Sequence, residues 1–94
     1  MKRYQSPYGT VTLTDERLAH ILESHPDVGR CLKYFKDALA APERVVPSVH
    51  DTAVFICYRS IPRSRKLLAV VIKIGRAPFV LTAYLAKKPK KGTM

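Results

Sequence analysis

The segment that decides the fold runs from residue 67 to residue 86 and reads LLAVVIKIGRAPFVLTAYLA. Two runs rich in Val, Ile, Leu, Phe and Tyr flank the short break Gly75-Arg76-Ala77, and residues of these types favour strands. Because three residues are too few for a crossover, the two strands should pair antiparallel. A third run of the same kind, residues 53–60, precedes them across a short loop. The sequence therefore predicts an antiparallel meander.

The first part of the chain predicts a β-hairpin followed by a helix. Two β-prone runs within residues 4–13 surround a stretch that has Pro and Gly at turn positions. Thr14 then offers an N-cap, and apolar residues follow it at helical spacing. We therefore expect a hairpin and then a first helix over residues 14–24.

A second helix and an edge strand complete the predicted elements. Pro26 ends the first helix and suits the first position of the next, whose apolar residues repeat every three or four positions until about residue 41. Residues 43–49 favour a strand, but Pro47 restricts it to a sheet edge or a bulge. The predicted fold class is α+β: an N-terminal β-hairpin and two helices packed on a three- to four-stranded antiparallel sheet.

Length and charge indicate one domain and an anionic partner. The 94 residues fit a single domain over residues 1–94. A basic tail begins at about residue 87. The 17 Lys and Arg residues exceed the 7 Asp and Glu residues, which gives a net charge of +10. A surface this cationic favours polyanions, so RNA is the expected partner, although an acidic protein would also fit.

Several other classes of protein are disfavoured by the sequence. No apolar run approaches the roughly eighteen residues of a membrane span, so we expect a cytoplasmic protein without a membrane partner. Cys31 and Cys57 lie in apolar segments, which is typical of buried thiols more than of a disulfide or a metal pair. His20 and His25 lack further ligands at a recognisable spacing, and we expect neither a metal nor a cofactor.

The alternation of side chains along each strand sorts the polar residues by face. In the last strand the core face would comprise Phe79, Leu81, Ala83 and Leu85, with Val80, Thr82 and Tyr84 on the reverse. Polar residues also interrupt the two preceding strands. If the meander puts the polar faces of these three strands on one side of the sheet, four residues form one patch that could bind phosphate: Arg59, Lys73, Thr82 and Tyr84. The alternative is an ordinary sheet with one solvated face.

Two histidines flank the end of the first helix. Five residues turn a helix by about 140°, so His20 and His25 share a face only if the helix breaks before His25. An imidazole can move protons near neutral pH, as cleavage of a phosphodiester requires. A packed or capping histidine is the alternative. His50, in the Ser48-Val49-His50-Asp51 stretch, is typical of a turn residue.

Five short motifs together carry a family resemblance. They are His20-Ile21, His25-Pro26, Tyr58-Arg59, Val70-Val71-Ile72-Lys73 and the stretch from Phe79 to Tyr84. In order and spacing they resemble the phage-type members of the Barnase-EndoU-Colicin-RelE superfamily, over about residues 8–92. The resemblance implies a RelE- or barnase-like fold and metal-independent RNase activity. Several members of that superfamily are toxins, which implies an acidic antitoxin or immunity protein as a further partner.

The resulting hypothesis is an endoribonuclease, toxin-like, in which the RNA 2′-hydroxyl attacks the adjacent phosphate. The expected catalytic set comprises a base and an acid, two cations for the phosphate charge and two orienting hydroxyls: His20, His25, Arg59, Lys73, Thr82 and Tyr84. Flanking phosphates would be held by cations of the loops and the tail: Arg63, Arg65, Lys66, Arg76, Lys87 and Lys88. Two alternatives remain open, namely an RNA- or ribosome-binding module without activity and a basic partner of an acidic protein.

Overall fold

The computed structural model of the chain describes residues 1–89. Its elements follow in the order β1 (Lys2–Ser6), β2 (Gly9–Leu13), α1 (Asp15–Ser24), a 3₁₀ helix (Pro26–Tyr34), α2 (Phe35–Ala40), β3 (Arg44–Pro47), β4 (Val54–Ser60), β5 (Leu67–Lys73) and β6 (Phe79–Ala86). The six strands form one sheet in the order β1-β2-β6-β5-β4-β3. The predicted α+β class, the N-terminal hairpin and the antiparallel meander are confirmed.

The sheet differs from the prediction in size and in one strand pairing. It has six strands because the N-terminal hairpin and β3 extend the meander on its two sides. All neighbours pair antiparallel except β2 and β6, which are parallel and meet at Thr12 and Phe79. At that junction the Thr12 amide donates to the carbonyl of Pro78 at 3.0 Å. The predicted antiparallel strands are present as β3–β6, but the sheet is larger than predicted and includes one parallel pairing.

Local chemistry explains where α1 begins and ends. The Thr14 hydroxyl accepts a hydrogen bond from the Arg17 amide at 3.1 Å, which satisfies one of the free N–H groups of the first turn. At the other end the His25 amide donates to the Ile21 carbonyl at 2.7 Å, but His25 itself has a non-helical φ of −135°. Pro26 follows immediately and opens the 3₁₀ helix. The helix therefore breaks at His25, between the two histidines.

The second predicted helix is present but has two parts. Its first nine residues form the 3₁₀ helix, and only the last six, Phe35–Ala40, form the α-helix α2. Both parts bury one side against the sheet: Val28 and Cys31 from the first, Phe35, Ala38 and Leu39 from the second. The apolar spacing predicted this buried side correctly, although it did not distinguish the two helix types.

The main core lies between the helices and one face of the sheet, which we call the helix side. It contains fully buried side chains from the helices and the sheet, among them Phe35 and Leu39 of α2 and strand residues Val11, Leu13, Leu68, Val70 and Ile72. A smaller apolar cluster occupies the opposite face, here called the helix-free face: Val46, Val54, Ile56, Tyr58, Ala69 and Val71. No helix of residues 1–89 contributes to that second cluster.

A β-bulge changes the predicted faces of β6. The pairing with β5 shifts between Val71 and Ile72, so that Val71 lies opposite Thr82 and Ile72 lies opposite Val80. Val80, only 1% exposed, therefore joins the helix-side core together with Ala83, while Leu81 packs on the helix-free face. Strict alternation had assigned Leu81 and Phe79 to the core and Val80 to the reverse. That prediction is wrong because the extra residue inverts the alternation.

No helix within the described residues is long and apolar enough to cross a membrane.

Candidate functional site

One transverse row of side chains crosses the helix-free face from β3 to β6. In the strand registers Arg44 pairs with Tyr58, Tyr58 with Ala69, and Ala69 with Tyr84. Directly paired residues of an antiparallel sheet point to the same side, so all four share one face. We call this set the transverse row. It places a cation at the β3 edge and a phenol at β6 across a floor formed by Ala69, which is fully buried.

His25 lies at the β6 end of the transverse row. Its imidazole and the ring of Tyr84 are 6.2 Å apart between centroids, with the planes tilted by 43°. Both side chains are half-buried. The break of α1 at His25 allows this contact, because residue 25 leaves the helix where the chain turns into the 3₁₀ helix beside β6. The structure thus brings together two of the six predicted catalytic residues.

The Tyr84 hydroxyl is held in its neutral form. Burial is the main cause of a raised pKa for this phenol, and a hydrogen bond with the hydroxyl of Tyr58 raises it further. Tyr58 itself is 1% exposed. At neutral pH Tyr84 therefore keeps its proton, and its hydroxyl oxygen is buried beside Tyr58.

Thr82 lies on the same face as Tyr84, two residues earlier in β6. It is half-buried and opposes Val71 at the bulge. Thr82 and Tyr84 lie on the same side of the bulge, so both point to the helix-free face. The sequence predicted a shared face for these two residues. Their hydroxyl groups therefore belong to one surface.

His20 does not share the environment of His25. It lies on the exposed side of α1, one turn after Glu16, and its Nε2 is 3.8 Å from the Glu16 carboxylate. The side chain of His20 is 64% exposed. Its contact with Glu16 is therefore an ordinary surface pair of a helix. The predicted acid and base pair of two histidines is not assembled here.

Arg59 faces the helix side, so it is not part of a patch with Lys73 and Tyr84. It pairs with Leu68, a fully buried core residue of that side. Its guanidinium donates to the backbone carbonyl of Ala41 at 2.7 Å, where the chain passes from α2 to β3. The single polar patch inferred from the strands is wrong, because Arg59 directly follows Tyr58 in β4 and therefore points to the opposite face of the sheet.

Lys73 lies on the helix-free face but far from Tyr84 along the sheet. It is four residues from Ala69 on β5, which corresponds to about 13 Å at the usual rise of a strand. Its ammonium group is 3.3 Å from the carboxylate of Asp51 in the β3–β4 connection. A hydrogen bond from the Ala53 amide and then Lys73 hold the pKa of Asp51 below its usual range. Lys73 thus forms an ion pair that links β5 to the β3–β4 connection.

A second carboxylate near the site is also fixed. Glu43, just before β3, accepts hydrogen bonds from the amide of Ser60 at 2.8 Å and from its hydroxyl at 2.7 Å. The bonds to Ser60 lower the pKa of the Glu43 carboxyl. Together with the bond from Arg59 they fasten the segment between α2 and β3 to the end of β4.

Five exposed cations gather at one end of the sheet, which we call the basic end: Arg63, Arg65, Lys66, Lys87 and Lys88. They meet because Leu67 pairs with Ala86, so that the loop entering β5 lies beside the chain leaving β6. Tyr84 precedes Ala86 by two residues, about 7 Å along the strand. None of the five forms an ion pair with another residue of the range 1–89.

The remaining predicted RNA-binding residue lies elsewhere. Arg76 belongs to the turn between β5 and β6, at the end of the sheet opposite the basic end. The residues of the predicted tail after Pro89 lie outside the described part of the chain. The predicted set of flanking cations therefore divides into five that lie together and one that does not.

The described residues contain no group of three or more His, Cys, Asp or Glu side chains that could hold a metal ion. Cys31 and Cys57 are both buried and unpaired, as predicted. Burial raises the pKa of the Cys57 thiol to about 11 and also raises that of Cys31. Neither thiol has the character of a reactive nucleophile.

Sequence reasoning missed two members of the transverse row, Arg44 and Tyr58. The signal for Tyr58 was available, because alternation already put it on the reverse of Arg59. The position of Arg44 required the β3–β4 register, which no local pattern specifies. No protein-family model, curated protein or solved structure matches the chain.

Proposed function

We propose that this chain is an endoribonuclease that holds a single RNA strand against the helix-free face and cleaves it beside His25 and Tyr84. The observation that carries the proposal is the contact between these two rings, 6.2 Å apart, at one end of the transverse row. It joins an imidazole, a common general base, to a phenol that carries a proton. The basic end lies about 7 Å beyond Tyr84 and supplies charge for neighbouring phosphates.

The proposed step is a transesterification within the RNA. His25 accepts the proton of the 2′-hydroxyl, whose oxygen forms a bond to the adjacent phosphorus. The bond from phosphorus to the 5′-oxygen breaks, and Tyr84 donates its proton to that oxygen, which requires its side chain to move so that the buried hydroxyl leaves Tyr58 and reaches the RNA. The products are a 2′,3′-cyclic phosphate and a free 5′-hydroxyl. Tyr84 regains a proton from the imidazolium or from water, which completes the cycle.

Other residues have supporting roles in this proposal. The hydrogen bond with Tyr58 orients the Tyr84 hydroxyl, and Thr82 can donate to a non-bridging phosphate oxygen. Arg44 lies in the same row and can bind a phosphate further along the strand. His20, Arg59 and Lys73 are assigned no part in the chemistry, because each has a surface or structural contact that accounts for it.

Membership of the Barnase-EndoU-Colicin-RelE superfamily is part of the same proposal. What supports it is the order of the sequence motifs together with helices packed on one side of a sheet whose strands β3–β6 form an antiparallel meander. Such membership would make a toxin with an acidic inhibitor a natural biological setting. The excess of cations at the basic end is compatible with either RNA or an acidic protein.

The test is cleavage of a defined RNA in EDTA, with the 3′ ends of the products analysed for a cyclic phosphate. We expect His25→Ala and Tyr84→Phe each to lower the cleavage rate by about 10²- to 10⁴-fold, which is typical of losing a proton-transfer group. His20→Ala is the matched control and should retain wild-type activity. A substrate with a 2′-deoxynucleotide on the 5′ side of the cut should resist cleavage; cutting at that bond would refute the mechanism.

A second candidate is an RNA-binding module that does not cleave. It is favoured because Arg59 and Lys73 both form contacts within the protein. Fewer cations are then available to stabilise the charge of a phosphate in the transition state. In that case wild-type protein would bind RNA but leave it intact, and His25→Ala would not change the affinity. The binding and cleavage measurements therefore separate the two candidates.

A further inference from the structure

The loop between β4 and β5 contains a residue in an unfavourable conformation. Arg63 has a φ of +62°, and it is the one non-glycine residue of the described chain with a positive φ. A side chain in this left-handed region clashes with its own backbone, so glycine or asparagine normally occupies it.

The hydrogen bonds of the loop explain why the conformation is required. The Ser64 amide donates to the Ile61 carbonyl at 3.1 Å, which closes a four-residue turn with Pro62 second and Arg63 third. Proline in the second position and a positive φ in the third are features of a type II turn. The Lys66 amide also donates to the Ser64 hydroxyl, and the Ile61 amide to the Lys66 carbonyl. The loop is therefore closed at its base and internally bonded.

The position of Arg63 suits contact with an extended anion. Its side chain is exposed, and its loop lies beside Lys87 and Lys88 because Leu67 pairs with Ala86. A bonded loop also presents its charge at a small cost in conformational entropy on binding.

We infer that Arg63 is a phosphate-contact residue, fixed in position by its turn, for an RNA strand that runs from Tyr84 across the basic end. This inference rests on the proposed function for the identity of the partner. It adds that the affinity depends on the placement of this side chain and not only on the net charge. A contact with phosphate explains why arginine occupies position 63, where glycine would give a more stable fold.

The experiment compares Arg63→Gly with Arg76→Ala in binding to a fluorescein-labelled single-stranded RNA, at several salt concentrations. Both variants lose one positive charge, but Arg76 lies at the opposite end of the sheet and has no positive φ. We expect Arg63→Gly to weaken binding by about tenfold and to lower the salt slope by about one. Arg76→Ala should weaken binding by less than about threefold. Thermal melts should show Arg63→Gly at least as stable as wild type, since the strain is relieved.

The possible outcomes distinguish the role of Arg63 from the proposed cleavage activity. Equal losses in the two variants would overturn the inference while leaving the cleavage proposal intact. A wild-type protein that binds and does not cleave would refute the proposed chemistry, yet the comparison of variants would still test Arg63. A Tm of Arg63→Gly well below wild type would show that the arginine stabilises the fold, and the inference would fail. Absence of any RNA binding by wild type would refute both proposals.

Discussion

Arg59 has different roles in the sequence-based prediction and in the structure, and a substitution can distinguish them. The sequence motif suggests that Arg59 stabilises a phosphate, whereas its guanidinium donates at 2.7 Å to the carbonyl of Ala41 on the helix side. Arg59→Met keeps the length of the side chain and removes its donors. We therefore expect a loss of stability without a loss of cleavage.

The size of the effect follows from the contact. A hydrogen bond from a charged group contributes about 1.5–3 kcal/mol when buried, and this one is exposed, so about 1 kcal/mol is the better figure. For a domain of this size such a loss lowers the Tm by about 4–8 °C. The Tm can be measured by circular dichroism, and cleavage can be measured at 25 °C, where the folded state predominates.

Two results would contradict this reasoning. One is an unchanged Tm, which would mean that the bond to Ala41 contributes nothing. The other is a cleavage rate at least tenfold lower in a variant that is fully folded at 25 °C. That second result would place Arg59 on the phosphate, as the family resemblance implies, and would require the guanidinium to leave Ala41 when RNA binds.

Three further predictions follow from single contacts. Tyr84 has a raised pKa when folded, so its contribution to stability is complete below the ordinary tyrosine pKa of 10.0 and is lost as the pH rises through the folded value. Tyr84→Phe should therefore flatten the alkaline decline of the free energy of unfolding, measured by urea titration from pH 9 upward; an identical decline would contradict the assignment. Thr14→Ala removes the N-cap of α1 and should cost about 1 kcal/mol in the same titration at pH 7, whereas no change would mean that the bond to Arg17 is not maintained. Lys73→Met breaks a half-exposed ion pair with Asp51 and should leave the free energy of unfolding almost unchanged, with little effect on cleavage; a strong loss of cleavage would instead assign Lys73 a role in the active site.

Much of the fold was predictable because its signals are local. The turn sequence, the N-cap Thr14, the stop at Pro26 and the apolar strands each depend on neighbouring residues. Pro47 also indicated an edge strand correctly, since β3 is the last strand of the sheet. The parallel contact of β2 with β6 was not predictable in this way, because it joins residues 66 positions apart that share no local pattern.

The candidate site was predicted less well, and the reason is register. Alternation assigns a face only relative to other residues of the same strand, so one bulge near Thr82 inverted the assignment for Phe79, Leu81 and Val80. It also could not relate Arg59 to residues of β6, because that requires the pairing of three strands. The contact of His25 with Tyr84 depended in turn on the break of α1, which the following proline did indicate.

The borders of the sheet affect how the molecule behaves at high concentration. Exposed backbone groups at a border can recruit a strand from another copy and so begin aggregation. Here β1 carries Lys2 and Arg3, while the short β3 carries Arg44 and ends at Pro47, which has no N–H to offer. Like charges and a missing donor thus disfavour strand addition at both borders. The chain can therefore have a six-stranded open sheet without a strong tendency to form fibres.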